Sequence, residues 1–327
     1  MDYKEKNVLV TGGTGTVGKE MIKFLIKENV KSITIVSRNE LNQVILKREI
    51  IKLYGIDILN KLHFVLCDIR NNEIFKHLFI NCDIVIHTAA LKHIDLCEEN
   101  IREAFETNVN GTLNVITNAI NNNVEKVILL STDKACSPTS VYGATKLISE
   151  REFINANKCG ITKFSVLRCG NISGSNGSVI PFFKKLVAQG NTILPITDVE
   201  MCRFWFEPSD VVKSIDYALN NMIGGEVFIP KMPSFKILDL AKAISGQNEH
   251  RVVGLRKGEK IEESILNLDK SIYESDGMYV ELNDTNINYT EYNPAFKFIT
   301  SPTYTTKINT NWLSVEDIKN KLTNLGD

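Results

Sequence analysis

Short runs rich in valine, isoleucine and leucine recur through the first half of the chain, at 7–11, 32–37, 63–68, 83–89, 126–132 and 164–169. Their apolar residues are consecutive rather than alternate, which suits parallel strands covered on both faces. Between them, 18–28, 40–53, 101–121 and 142–156 are predicted helices. Strand and helix in this repeated order predict an α/β fold, a doubly wound parallel sheet of Rossmann type. From about residue 170 the alternation is broken by Gly170, Gly174, Gly177, Pro181 and Pro195. A helix at 209–221 and a strand at 226–230 then return the chain toward the first unit around 206–230. The expected organisation is a first unit at 1–170, a smaller C-terminal substrate-binding region at 171–280, and an extension at 281–327. Residues 283–311, mostly Asn, Thr, Tyr and Ile, show no clear periodicity.

A glycine-rich turn, Thr11-Gly12-Gly13-Thr14-Gly15-Thr16-Val17-Gly18, follows the first strand and opens the first helix. That context, more than the spacing alone, marks a dinucleotide loop in which backbone N–H groups meet a pyrophosphate. Gly12, Thr14, Gly15, Thr16, Val17 and Gly18 are its expected contacts. After the second strand a cofactor with a free ribose 2′-hydroxyl would call for an acid, yet the chain has Ser37-Arg38-Asn39. A cation beside a hydroxyl and an amide suits a 2′-phosphate, so the expected cofactor is NADP. Asp68 after the third strand, and Ala89 and Ala90 after the fourth, fall where strand ends would meet adenosine and its ribose.

The fifth strand runs into Ser131-Thr132-Asp133-Lys134, and the next helix opens with Tyr142-Gly143-Ala144-Thr145-Lys146. Tyr142 and Lys146, four apart, project from one helix face. A free phenol, with a pKa of about 10, is a poor base at neutral pH, but Lys146 and an oxidised nicotinamide ring would both favour the phenolate. The tyrosine could then take a proton from an alcohol held by Thr132 as hydride leaves its carbon. Asp133 and Lys134 exceed what a simple dehydrogenase needs. Beside a newly formed ketone, a lysine kept neutral by nearby positive charge could remove the acidified C–H proton, and a protonated Asp133 could donate to a departing hydroxyl.

The 327 residues carry a formal net charge of −1, which gives no whole-chain attraction to nucleic acid. No apolar run approaches the ~18 residues of a spanning helix, so no membrane partner is expected. Seven cysteines lack CxxC pairs and have no histidine cluster nearby, so buried reduced thiols, a cytoplasmic location and no metal are expected. Only His87 and His93 of the five histidines fall near the site, and both are assigned structural roles.

Taken together, these motifs resemble the extended short-chain dehydrogenase/reductases, and more narrowly the inverting UDP-N-acetylglucosamine 4,6-dehydratases of the flagellin-glycosylation and capsule type. The likeness runs from about Asn7 to Glu263 and rests on the Ser-Thr-Asp-Lys-Ala strand end and the Tyr-Gly-Ala-Thr-Lys helix. Further carriers are Ser37-Arg38, Asp68-Ile69-Arg70, Ala90-Leu91-Lys92-His93, Asn108 with Asn110-Gly111, Gly177 to Phe183, Pro195 to Asp198 and Met201 to Trp205. The resemblance implies catalytic roles for Thr132, Asp133, Lys134, Tyr142 and Lys146: oxidation at carbon 4 by Tyr142, proton removal at carbon 5 by Lys134, and water loss at carbon 6 assisted by Asp133. It adds Ile69, Lys92 and Asn108 to the cofactor set. It implies substrate contacts from Lys92, Asn171, Ser178, Val179, Pro181, Thr197, Met201, Arg203, Arg256 and Glu259, with the two arginines on the diphosphate and Glu259 on a ribose. A homo-oligomer, dimer or hexamer, is implied as well.

The chain departs from that family where Lys257 replaces a proline, Glu262 a histidine, Cys202 a threonine, and Ser137 the asparagine of an Asn-Pro pair. Lys134 argues against a retaining dehydratase, which would carry Asp-Glu. A 4-epimerase would need only hydride removal and return, leaving Asp133 and Lys134 without a task, and a silent NADP-sensing regulator would have lost Tyr142 or Lys146.

Overall fold

A computed structural model describes residues 1–267, 270–283, 287–300 and 302–324. The first six strands are β1 (Asn7–Thr11), β2 (Ser32–Ser37), β3 (Leu62–Leu66), β4 (Ile84–His87), β5 (Lys126–Thr132) and β6 (Lys163–Cys169). They pair in parallel in the order β3-β2-β1-β4-β5-β6. The continuous apolar runs are the reason: all of β4 and nearly all of β6 are buried, as strands sandwiched between two helix layers must be. Strand order reverses between β1 and β4, and in such sheets the crevice beyond the carboxyl ends at the reversal is where ligands bind.

Glu226–Pro230 adds a seventh parallel strand beside β6. Met278–Leu282, Ser271–Glu274 and Lys297–Ile299 then extend the sheet antiparallel. The ten-stranded sheet thus draws strands from all three expected segments. Of the 281–327 stretch, residues 284–286, 301 and 325–327 lie outside the described residues. A second, smaller core gathers Ile180, Phe183, Leu194, Trp205, Leu240 and Ile318, from helices Val179–Ala188, Ile237–Ser245 and Val315–Asn324 and neighbouring strands.

Two local differences from the sequence expectation matter for the site. The fourth strand ends at His87 rather than at 89, and Thr88 turns back to donate its hydroxyl to the Thr11 carbonyl at 2.8 Å, leaving Ala89 and Ala90 beside the crevice. The single helix expected at 101–121 is instead Ile101–Phe105, a π turn at Glu106–Asn110 and Gly111–Asn121. Within the wide turn the Asn108 carbonyl accepts from the hydroxyls of Thr112 at 2.5 Å and Ser149 at 2.7 Å, and such bulges are frequent near functional sites.

Arg168, on β6 and 1 % exposed, binds Glu150 of the Val141–Ala156 helix at 2.7 Å and Glu281 of the antiparallel extension at 2.8 Å. It also donates to the Ile265 carbonyl at 2.9 Å. One guanidinium therefore ties sheet, helix and C-terminal strands together. All seven cysteines are unpaired, and six are buried.

Candidate active site at the sheet crevice

The glycine loop is shaped by contacts that leave no room for side chains. Gly12 lies at φ +69°, where L side chains are strained, and a Cβ there would sit 2.8 Å from the Ala89 nitrogen. A Cβ on Gly18 would fall 2.4 Å from the Gly12 carbonyl oxygen, so the first helix can approach the loop only without one. Helix Thr16–Lys27 begins at Gly15, which offers no side-chain cap. Its first-turn N–H groups are available to an anion. Beside the loop lies a cavity of about 140 Å³ lined by Gly12, Ser37, Arg38, Ile69, Ala89 and Ala90. Thr107 also lines it, and its buried hydroxyl has no protein partner. Glycines without room for a Cβ, a free helix terminus and an unsatisfied hydroxyl fit a dinucleotide.

At the cavity mouth Arg38 approaches Asp68 at 3.5 Å, while Arg70 holds the same carboxylate at 2.7 Å. Burial acts to raise Asp68, but the hydrogen bonds and charge of Arg70 outweigh it and keep the acid below its ordinary range. Asn39 serves locally: its side chain accepts from the Asn42 N–H at 2.8 Å and caps helix Glu40–Tyr54. Asn108 accepts from the Leu91 N–H at 2.8 Å, and donates to the Leu91 carbonyl at 2.9 Å and to Thr145 at 3.0 Å. It brackets the loop after β4 to the helix carrying Tyr142 and Lys146. Thr14 and Val17 are buried within the glycine loop, and Lys92 stands exposed next to Leu91.

β5 delivers Thr132 to the crevice, and a tight turn at Asp133–Ala135 follows. Helix Val141–Ala156 is capped by Ser140 and lies directly against that turn: a Cβ on Gly143 would be 2.2 Å from the Lys134 carbonyl oxygen. The glycine of Tyr142-Gly143 is thus what lets the tyrosine helix meet the Asp133-Lys134 turn. Tyr142 hydrogen-bonds with Thr132; burial nevertheless pushes its phenol well above the ordinary value. Lys146 donates to the Leu130 carbonyl at 2.8 Å, and burial lowers it to about 8. Desolvation therefore dominates Tyr142 in this structure, over any phenolate-favouring influence of Lys146. Ser137, which stands for the family's asparagine, lies at φ +47°, a left-handed conformation that asparagine tolerates better than serine.

Lys134 differs from its expected state. Rather than being held neutral by positive charge, its Nζ lies 3.0 Å from Asp133 and 3.6 Å from Glu263. Burial pulls its pKa down, but the two carboxyls more than offset that and raise it. Glu263 comes from a segment 129 positions away along the chain; no local pattern marked it, and its place at the end of the family likeness was the only signal. His87 is fully buried between Thr11 at 2.6 Å and Thr112 at 3.1 Å, with its pKa lowered by burial to about 3. It is a neutral structural group.

Asn171 and Ser178 each present a buried oxygen without a hydrogen-bond partner, as do Ser131, Asp133 and Glu263 among the described residues. Ser178 precedes helix Val179–Ala188, whose first turn includes Val179 and Pro181. Thr197 donates to the Met201 sulfur at 3.0 Å, and Met201 is buried. Arg203 is turned inward, donating to the carbonyls of Cys202, Lys260 and Ile261. Arg256 is exposed and pairs with Glu259 at 2.6 Å and Asp95 at 3.4 Å. Burial acts to raise Glu259, but the hydrogen bonds from Arg256 prevail and lower it.

A glycine loop at a strand-order reversal, with Tyr142, Lys146 and Thr132 at the neighbouring strand end, defines a nicotinamide-dinucleotide site of the short-chain dehydrogenase/reductase class. Residues 8–281 match the family described as polysaccharide biosynthesis protein. A protein of Campylobacter jejuni named UDP-N-acetylglucosamine 4,6-dehydratase (inverting) is 44% identical over 85% of this chain and 83% of its own. A Rickettsia akari protein named UDP-glucose 4-epimerase is 35% identical over 99% of this chain and 97% of its own. The crystal structure of Pen from Bacillus thuringiensis superposes with a TM-score of 0.89 at 34% identity, over 100% of this chain and 99% of that one. The chain belongs to the polysaccharide biosynthesis family of nucleotide-sugar enzymes, alongside the inverting UDP-N-acetylglucosamine 4,6-dehydratases.

Proposed function

We propose that the protein catalyses the NADP-dependent 4,6-dehydration of UDP-N-acetylglucosamine with inversion at carbon 5, and releases UDP-2-acetamido-2,6-dideoxy-L-arabino-hex-4-ulose. The observation that carries this reading is the buried Asp133 carboxyl 3.0 Å from the Lys134 amine, on the turn against which the Tyr142 helix packs. When bound, NADP supplies a hydride acceptor, the hydride for the return step and a positive charge that favours the Tyr142 phenolate. Tyr142 takes the proton of the 4-hydroxyl, which Thr132 orients. A proton passed from Lys134 to Asp133 across their 3.0 Å contact supplies an amine base and a carboxylic acid in one step. Lys134 then takes the carbon-5 proton and Asp133 donates to the departing 6-hydroxyl, which leaves as water; return of the hydride to carbon 6 and addition of a solvent-derived proton to the opposite face of carbon 5 would complete the L-configured product. Asn171 and Ser178 would hold the sugar, a reading supported by their buried oxygens without a hydrogen-bond partner, and Arg256 with Glu259 would meet the nucleotide.

The Rickettsia relative's name favours a second reading, 4-epimerisation, which would leave Asp133 and Lys134 without a task. Proton NMR of UDP-N-acetylglucosamine incubated with the enzyme separates the two. Dehydration converts the carbon-6 hydroxymethyl into a methyl signal; epimerisation leaves the hydroxymethyl and produces the galacto sugar.

NADP is favoured by Arg38 at the cavity mouth and by the absence of an acid after β2. Arg38→Ala is expected to weaken NADP by about tenfold or more, in keeping with loss of a charge-assisted contact, while NAD changes little. Fluorescence titration with both cofactors checks this, and equal losses would contradict it. A cytoplasmic location accords with seven unpaired cysteines. Homo-oligomer formation accords with exposed Ile101, Phe105 and Ile148 on helices beside the site.

A further inference from the structure

Glu263 has no role in the chemistry outlined so far, yet it is 2 % exposed and lies within 4 Å of three cationic side chains. Its Oε1 is 3.6 Å from Lys134 Nζ and 3.9 Å from Arg203 Nε, and its Oε2 is 3.7 Å from Lys260 Nζ. Its backbone N–H is fixed by the Thr306 hydroxyl at 2.9 Å, so the carboxyl is held at this depth by its own main chain. Oε2 accepts no hydrogen bond. A buried acid that only stabilised the fold would be expected to have both oxygens satisfied.

We infer that Glu263 is a positioning residue that holds the shared proton on the Asp133–Lys134 pair, a role that rests on the dehydratase reading. If one proton must sit on Asp133 or Lys134 for the pair to offer a base and an acid together, activity ends on the alkaline side where the pair gives that proton up. Burial raises the pKa of Glu263 itself, against the lowering pull of Lys134, Arg203 and Lys260, but on the alkaline side it is ionised, and a carboxylate 3.6 Å from the amine opposes that loss, because removing the proton would leave two buried carboxylates facing a neutral lysine. The other titratable or charged groups around the pair are Arg203 from strand Cys202–Phe206, Lys260 from the segment before Glu263, Tyr142 from its helix and Cys169 at the end of β6. Arg203 and Lys260 favour loss of the proton, so Glu263 and Asp133 must counter them. That opposition is consistent with a lysine whose pKa stands above its ordinary value despite burial.

The test uses Glu263→Gln, which keeps size and removes charge, in the full-length enzyme. Two readouts are followed against pH: exchange of the carbon-5 hydrogen of UDP-N-acetylglucosamine with heavy water, and the Lys134 ε-carbon signal in protein labelled with 13C-lysine. Removing a carboxylate lowers the pKa of a neighbouring ammonium. The alkaline limb of exchange and the Lys134 titration should therefore both move to lower pH by about 1–3 units, the usual effect of one close opposite charge. A limb and a titration that both stay within about 0.3 units of wild type, against that expected range, would overturn the proposal. So would a titration that moves without the limb, or a limb that moves without the titration. If the glutamine variant does not fold, Glu263→Asp decides: the shorter acid should give a smaller shift of the same sign, and no shift overturns the idea. Wild-type enzyme that exchanges nothing at any pH would refute the dehydratase reading instead, while the lysine titration would still judge Glu263.

Discussion

Lys134→Ala is expected to bind NADP as the wild type does and to accumulate no dehydrated sugar. Lys134 Nζ lies just past the end of β5 with Asp133 at 3.0 Å and is not among the groups that crowd the loop glycines, so its removal should leave the dinucleotide cradle intact. What disappears is the base for carbon 5. Positioned acid–base groups contribute about 10²–10⁴-fold to rate, and turnover should fall by at least that range. In the proposed mechanism the first oxidation at carbon 4 belongs to Tyr142 and Thr132, so a single turnover should still reduce the cofactor. Normal turnover in the variant would take Lys134 out of the mechanism.

Arg168→Met should be the most damaging substitution to stability. It strands Glu150 and Glu281, both about 1–2 % exposed, facing each other without their cation. Breaking a buried ion network from one side typically costs about 3–5 kcal/mol, roughly a 4–7 °C fall in Tm for a chain of this size. The pH response has a definite sign. Burial already raises Glu281, and losing Arg168 raises it further, so the folded variant binds more protons than the unfolded chain and regains stability as pH falls from neutral. Adding Glu150→Gln and Glu281→Gln should restore much of the loss, because neutral partners of similar shape leave no buried charge. Thermal melts across pH check both statements.

The sheet was legible in the sequence because its strands are buried on both faces. Runs such as 126–132 and 32–37 are centred on Val127 to Leu130 and on Ile33, Ile35 and Val36, and they coincide with β5 and β2 residue for residue. The glycine loop was legible because its strand-turn-helix context is local. The π turn at Glu106–Asn110 was not, since Glu-Thr-Asn-Val-Asn is an ordinary helical stretch until the contacts of Asn108 with Leu91 and Thr145 are known. Lys134's charge escaped for a similar reason: one of the two carboxyls that set it is Glu263, brought in by tertiary structure alone. Arg203 had the right type for a diphosphate, but its donors are directed to the carbonyls of 202, 260 and 261 by a segment whose path no periodicity gave. The edge strand Lys297–Ile299 and the Val315–Asn324 helix were missed because half-exposed elements carry weak patterns.

In the proposed reaction Asp133 and Lys134 act together on a hexose briefly oxidised at carbon 4. Its most direct test is the proton NMR spectrum of the sugar formed from UDP-N-acetylglucosamine in heavy water. The expected product carries a methyl group at carbon 6, deuterium at carbon 5 and the L-configuration there. A product with protium retained at carbon 5, or with its original configuration, would contradict it.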